Sequence, residues 1–420
     1  MKIAMITFEF YPKFGGISHT SQNLCKSFKK KNEKLYIFNP FYKGKNIFDI
    51  LTKRTYKFSD YPSMLLKKKN RRLLLFVIKR IVTSDRILLF DKLKIILYLL
   101  YPKIAIQFIN NLKSLIPYFK RIKFDIVFGT ATGGPTITLS YLLSIIFNLK
   151  VVCLSHGDDF LIENPVSLKS CFFKYLDKII LSNIIMKNLF NKIHRNISDR
   201  KLKIINRGIF PQEYHISEGK FDLRKKFNLP QDSFILLSVG NHVKRKGFDL
   251  VIKAVKNLVS KISKNVYYIL IGEGEFTEKL VRLSKELEIE ENIKFLGEVN
   301  NNLRNKYYKA SDVFLMPSRV VSNSLEGFGI VFLEANYYKL PVIGTKTGGI
   351  NRAIINEKTG FLIKPNNLDE LTKYILFLYN NKEICEDMGE FGNKRVLKEY
   401  NWNILVEDYI KTFKEILRNN

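Results

Sequence analysis

Short apolar runs alternate with helix-period segments along almost the whole of this 420-residue chain, and that alternation limits the folds open to it. Residues 2–8, 35–38, 125–129, 151–155, 178–181 and 202–206 read as strands in the first half; 234–240, 267–271, 293–296, 313–316, 341–344 and 360–363 do so in the second. Helical patterns at 18–30, 136–147, 167–176, 248–261, 276–287 and 302–309 separate many of them, and three more close the chain near 368–380, 383–399 and 402–418. Strands with no polar face, joined by helices, assemble into parallel sheets covered on both sides. A mixed polar segment at 210–233, carrying Pro211 and Pro230, reads as the connection between the two halves. The expectation is two doubly wound α/β domains, each long enough to bury a full core.

Charge and cysteine content narrow the class. The net charge is 70 − 39 = +31, spread partly by a general lysine bias. It is concentrated in residues 64–123, where 15 Lys or Arg face only Asp85 and Asp91, a surplus of +13. Basic residues there alternate with the apolar runs 73–78 and 95–100. That pattern suits helices lying on anionic lipid headgroups, and it equally suits solvated helices with a core-facing stripe. No recognition motif accompanies the charge, so nucleic acid is not expected as a partner. Cys25, Cys153, Cys171 and Cys385 are scattered without a C-x-x-C pair, as in free thiols of a reducing compartment. Residues 126–149 carry no charge, but Gly129, Gly133, Gly134 and Pro135 break the run, which fits a strand, a turn and a buried helix better than a membrane span. The first apolar run is too short for a signal peptide. A cytoplasmic protein is expected, peripheral on the inner face of the membrane if the 64–123 segment meets lipid.

Ligands of open α/β sheets bind beyond the carboxyl ends of the strands. The glycine-rich and polar residues of this chain fall at such ends: Gly15 and Gly16, His156 beside Asp158 and Asp159, Gly240 to Lys246, Gly272 to Glu275, and Glu326 to Glu334. In the last stretch two carboxylates are separated by seven residues across a loop containing Gly327 and Gly329 that runs into a helix. Such a loop lets backbone N–H groups approach a ligand, and the helix aims its positive end at an anion. Lys246 precedes a glycine and a helix, where a cation can neutralise a diphosphate; Arg245 taken alone reads as a surface charge. The chain has no D-x-D triplet, no P-loop, no G-x-S-x-G and no metal-ligand spacing. No metal or cofactor is expected.

The order LSVGNHVKRKG, ILIGEGE, IKFLGEV, VFLMPS, EGFGIVFLEA, LPVIGTKTGGI and TGFLIKP across 235–363 resembles the retaining glycosyltransferases of family 4, or group 1, with the GT-B fold. FEFYPKFGGISHTSQNL and SHGDD in the first half are similar in a looser way, and the Asn-Trp-Asn403 tail also resembles that family. The resemblance implies two Rossmann-like doubly wound domains facing a central cleft. The first, 1–210, would bind the acceptor, with a C-terminal helix at about 402–420 packing back on it; the second, 211–400, would bind the donor.

By the same resemblance Glu334 would accept hydrogen bonds from the ribose of a UDP- or GDP-sugar. Glu326, with the backbone of Phe328, Gly329 and Ile330, would hold the sugar hydroxyls and diphosphate. Lys246 would stabilise the departing diphosphate, His156 would lie near the anomeric carbon, and Gly16 would let the N-terminal loop approach. The base would lie against the loops around Gly272 and 295–299. His156, Glu326 and Lys246 are thus the expected catalytic residues. Asn241 stands where the family usually has Arg, so only one of the usual pair of diphosphate cations is clearly present, unless Arg245 or Lys244 substitutes. Arg352 stands where an acidic residue is common. The implied activity is retaining, metal-independent transfer to a glycan or lipid-linked acceptor in cell-surface polysaccharide or lipopolysaccharide synthesis. The alternative, favoured by Asn241, is a catalytically weak sugar-nucleotide-binding partner subunit.

Overall fold

A computed structural model of the chain describes residues 1–7, 16–39, 68–100, 102–156, 160, 169–262, 265–321 and 326–418. The glycine loop before Gly16, residues 64–67, Asp158 and Asp159 lie outside the described residues. The chain divides into two compact units, one of residues 1–205 with 406–420 and the other of residues 206–405.

Among the described residues the first unit is built on six parallel strands: β1 (Lys2–Ile6), β2 (Lys34–Phe38), β3 (Ile126–Gly129), β4 (Lys150–Leu154), β5 (Lys178–Leu181) and β6 (Leu202–Ile204). Their order is β2-β1-β3-β4-β5-β6, with Ile6 of β1 opposite both Phe38 and Gly129. The side chains of Ile3 to Ile6 and of Ile126 to Phe128 have no exposed surface, as expected of strands covered on both faces. The helices of this unit are α1 (Gly16–Lys30), α2 (Lys68–Val82), α3 (Leu89–Leu100), α4 (Pro102–Ile122), α5 (Gly134–Phe147), α6 (Lys169–Tyr175) and α7 (Ile184–Ile193). The uncharged 126–149 stretch is β3 followed by α5, and among the described residues no helix is long and apolar enough to cross a membrane. Helix α7 was not anticipated from periodicity. Asn183 starts it, its side chain accepting from the Met186 N–H at 2.9 Å, as an N-cap does.

The second unit repeats the plan: β7 (Phe234–Val239), β8 (Val266–Ile271), β9 (Ile293–Phe295), β10 (Val313–Met316), β11 (Val342–Thr345) and β12 (Gly360–Ile363), all parallel, in the order β12-β11-β10-β7-β8-β9. Its helices are α8 (Lys220–Lys226), α9 (Phe248–Val259), α10 (Thr277–Glu286), α11 (Asn301–Ala310), α12 (Ile330–Tyr337), α13 (Ile350–Ala353), α14 (Leu368–Asn380) and α15 (Lys382–Glu399). The 210–233 segment is not a bare connection. It contains α8, and the buried Arg224 donates to the carbonyls of Ala310, Gln231 and Ser233 and to Asp312, which fastens the segment into the second unit. The last helix, α16 (Trp402–Arg418), leaves the second unit at Leu405 and belongs to the first from Val406. There Phe413 stacks on Phe28, ring centroids 5.8 Å apart, and meets Phe128 edge-on at 5.2 Å.

The four cysteines are free thiols, two of them buried. Each unit is thus a doubly wound parallel sheet with helices on its faces, as the alternation of runs in the sequence predicts.

Candidate functional site

The strand order of the second sheet points to the site. After β7 the chain moves to β8 and β9 on one side, then crosses to β10 and continues to β11 and β12 on the other. The switch point is therefore between β7 and β10, where an open α/β sheet forms a crevice at its carboxyl edge. The residues following those two strands meet there.

After β7 comes the 3-10 turn Lys244–Lys246, closed by Gly247 at φ 74°. A Cβ on Gly247 would lie 2.2 Å from the Pro317 carbonyl oxygen, so only glycine lets this turn rest on the end of β10. The Arg319 N–H donates to the Arg245 carbonyl at 2.8 Å and fixes the contact. With the turn so placed, Lys246 Nζ is 2.6 Å and Arg245 Nη1 2.7 Å from the same atom, Glu326 Oε2. All three side chains are largely shielded, at 13%, 20% and 14% exposure respectively. Burial alone would raise the Glu326 carboxyl; the charges of Lys246 and Arg245, with their hydrogen bonds, outweigh it and hold the group down to about 2. Arg245 is thus not an isolated surface charge. It shares a carboxylate with Lys246.

Beyond Glu326 the backbone is tied to the loop after β11, its carbonyl accepting from the Gly349 N–H at 2.8 Å. Gly329, at φ 78°, then turns the chain into α12, whose first turn starts at Ile330. Phe328 is buried against Tyr400, ring centroids 5.6 Å apart, which anchors the loop. Residues 322–325, just before Glu326, lie outside the described residues.

Glu334 sits just over one turn into α12 and has a different set of partners. It is only 2% exposed, and its two oxygens accept from different tyrosines: Oε1 from Tyr214 at 2.8 Å, Oε2 from Tyr308 at 3.0 Å. Arg304 Nη2 stands 3.6 Å from Oε1 and its guanidinium lies over the Tyr214 ring. Burial and the neighbouring carboxylate push both tyrosine hydroxyls well above their usual range, so they remain donors. Sequence reading found Glu334 and missed these three partners. Tyr214 lies in the segment read as a connection, and Arg304 and Tyr308 are ordinary members of a helix, so no motif marks them.

The remaining expected residues of this unit are at strand ends. Gly272 follows β8 and its N–H donates to the Gly297 carbonyl at 2.8 Å, joining the two loops expected to meet a base. Asn241 is exposed after β7, and Arg352 is exposed on α13. His242, not singled out beforehand, is buried beside Asn241 with Nδ1 2.9 Å from Thr277 Oγ1, and burial lowers its pKa.

In the first unit His156 follows β4, and Nε2 lies 2.7 Å from the Thr130 carbonyl that follows β3. A carbonyl only accepts, so Nε2 carries the proton. Gly16 opens α1 after β1. Among the described residues no three His, Cys, Asp or Glu side chains are grouped to hold a metal ion.

Comparison with known proteins finds similarity chiefly in the second unit. Residues 219–395 match the family model "Glycosyl transferases group 1". That match falls within the second unit. An uncharacterized glycosyltransferase of Methanocaldococcus jannaschii is 28% identical over 222 residues, 52% of this chain and 55% of that protein. A GDP-mannose-dependent monoacylated alpha-(1-6)-phosphatidylinositol monomannoside mannosyltransferase of Corynebacterium glutamicum is 29% identical over 192 residues, 45% of this chain and 49% of that protein. The chain thus matches about half the length of these two curated relatives. A glycosyltransferase structure from Rickettsia africae superposes with a TM-score of 0.74 at 19% identity, over the full length of both chains, a likeness of fold.

Proposed function

We propose that the chain is a retaining glycosyltransferase that moves a sugar from a nucleoside-diphosphate donor, UDP- or GDP-linked, to a glycan or lipid-linked acceptor, the first unit binding the acceptor and the second the donor. The observation that carries this reading is the convergence of Arg245 and Lys246 on Glu326 at the switch point between β7 and β10. Two cations at a glycine-rich helix start suit an anion, and the Glu326 carboxylate engages both of them. When a diphosphate enters, Lys246 and Arg245 turn to its oxygens, and Glu326 is released to accept hydroxyl hydrogens of the sugar. Glu334, held by Tyr214 and Tyr308, offers its remaining lone pairs to the ribose.

In the proposed step the bond from the anomeric carbon to the phosphate oxygen breaks heterolytically and the diphosphate departs with both bonding electrons. Lys246, Arg245 and the α12 N-terminus stabilise that charge as it develops, which is where preorganised electrostatics lower a barrier most. The acceptor hydroxyl attacks from the same face and its proton passes to the departing phosphate oxygen, so configuration is retained. Because side-chain cations meet the charge, no metal ion is needed in this scheme. His156, with its proton fixed on Nε2, is assigned to the sugar's anomeric region, and Gly16 to the approach of the N-terminal loop. The relative from Corynebacterium makes a lipid-linked acceptor a reasonable class to test first. Asn241 favours a weakly active subunit instead, but Arg245 supplies the second cation that Asn241 does not.

A panel of UDP- and GDP-sugars, read by ligand-observed binding and nucleotide release, tests the proposal. One donor should bind and be slowly hydrolysed, and Lys246→Ala should abolish both. If no sugar nucleotide binds at millimolar concentration, the reading fails.

A further inference from the structure

We propose that α2 and α3 of the first unit form a docking face for an anionic lipid bilayer, with the α3 leucines as the part that enters the headgroup layer. Helix α3 has two opposed faces. Asp91, Ile95 and Leu99 are buried, and Asp91 fastens this face by accepting from the Tyr175 hydroxyl with Lys174 alongside. On the opposite face Leu89, Leu93, Leu97 and Leu100 are 83%, 55%, 59% and 49% exposed. At about 100° per residue, the centre of the leucine face lies roughly 150° around the helix from the buried one. The register is therefore set by the core, and the leucines point outward as a consequence.

Two features identify the occupant. The first is charge around the apolar stripe. Lys92 and Lys94 fall on either side of the leucine face, each about 100° from its centre, where long side chains can keep their ammonium groups at the water boundary while the leucines go deeper. The adjoining α2 mixes exposed Leu75, Phe76 and Val82 with exposed Arg72, Lys79 and Arg80, and Arg80 lies over the Phe76 ring at 5.7 Å. The second feature is the sign of that charge. Residues 68–100, which make up α2, α3 and the turn between them, carry 9 Lys or Arg against 2 Asp, a surplus of 9 − 2 = +7, so two copies of this face would repel one another, whereas a layer of acidic headgroups neutralises it. Nucleic acid would meet the cations and leave four leucines in water. An anionic bilayer accommodates both.

The test is sedimentation of the full chain with vesicles of phosphatidylglycerol and phosphatidylcholine, against vesicles of phosphatidylcholine alone, at low and high salt. No sugar donor or acceptor is present, so the outcome does not depend on the transferase reading. Retention is expected on the acidic vesicles only and should weaken with salt. Leu93→Gln with Leu97→Gln should weaken it at least tenfold, and Arg72→Gln with Lys79→Gln by about fivefold per cation removed. All four positions are exposed, and unchanged thermal unfolding confirms that each variant folds. The proposal is overturned if the wild type stays in the supernatant with acidic vesicles, if it binds neutral ones equally, or if both variants bind like the wild type. It is also overturned if the wild type ignores vesicles but forms a dimer that Leu93→Gln with Leu97→Gln dissolves.

Discussion

Replacing Glu326 by Gln is the sharpest perturbation of the site, because it keeps the shape and removes the one charge that Arg245 and Lys246 share. In the fold this carboxyl is held down to about 2, against an ordinary value near 4.5. A lowered pKa means that the ionised group stabilises the fold above its unfolded pKa, and that the stabilisation is lost as pH falls from about 4.5 through 2. The difference is worth on the order of 3 kcal/mol at pH 7 and roughly 1 kcal/mol at pH 3. That agrees with the few kcal/mol expected when one partner of a shielded ion cluster is removed and the others are stranded. Urea unfolding of wild type and Glu326→Gln at both pH values should therefore show a large gap at pH 7 that narrows at pH 3.

The same variant tests what the cations are for. Left without their carboxylate, Lys246 and Arg245 should take up an external anion, so inorganic pyrophosphate should raise the unfolding midpoint of Glu326→Gln more than that of the wild type. If the two proteins unfold together at pH 7, the cluster does not stabilise the fold. If pyrophosphate shifts both equally, Glu326 is not the occupant of an anion site.

Three further outcomes are expected. Gly247→Ala places a Cβ against the Pro317 carbonyl at a positive φ and should cost more than about 2 kcal/mol, seen as a lowered unfolding temperature and loss of pyrophosphate binding. Tyr214→Phe removes one of two hydroxyl donors to the buried Glu334 and should cost about 1.5–3 kcal/mol in urea unfolding; combining it with Tyr308→Phe should give a sum that is not additive, since both act on one carboxylate. His242, its pKa depressed by burial, binds its proton more weakly folded than unfolded, so stability should fall as pH drops below about 6.5; comparing urea midpoints of wild type and His242→Asn from pH 7.5 to 5.5 should show part of that slope missing in the variant.

Much of the framework was legible in the chain because burial on both faces of a parallel strand leaves a contiguous apolar run. Residues 313–316 and 360–363 read as strands over the same residues that the structure assigns to β10 and β12. Glycine spacing likewise marked the turns at Gly247 and Gly329. What the sequence could not convey was which side chains meet. Arg245 read as a surface charge because its neighbours in sequence are polar; its partner is 81 residues away and reaches it only through the strand order. Tyr214 and Arg304 were invisible for the same reason. Helix α8 was missed because its residues, mostly charged, show little apolar periodicity, and one buried arginine ties it down instead.

This separation explains why the two glutamates of one motif need different treatment. Glu326 is paired with two cations of the 3-10 turn at Lys244–Lys246, so an anionic ligand can take over those interactions without disturbing a helix. Glu334 is embedded in α12 with two tyrosines and Arg304 around it, so removing its charge strands buried donors and an arginine. A loss of activity in Glu334→Gln would therefore mix a ligand effect with a folding effect, and only comparison with Tyr214→Phe, which keeps the carboxylate, divides them. If Tyr214→Phe lowers stability but leaves donor affinity unchanged, the tyrosines serve the fold alone. A weaker donor affinity in a variant that remains fully folded would instead make them positioning residues for the carboxylate.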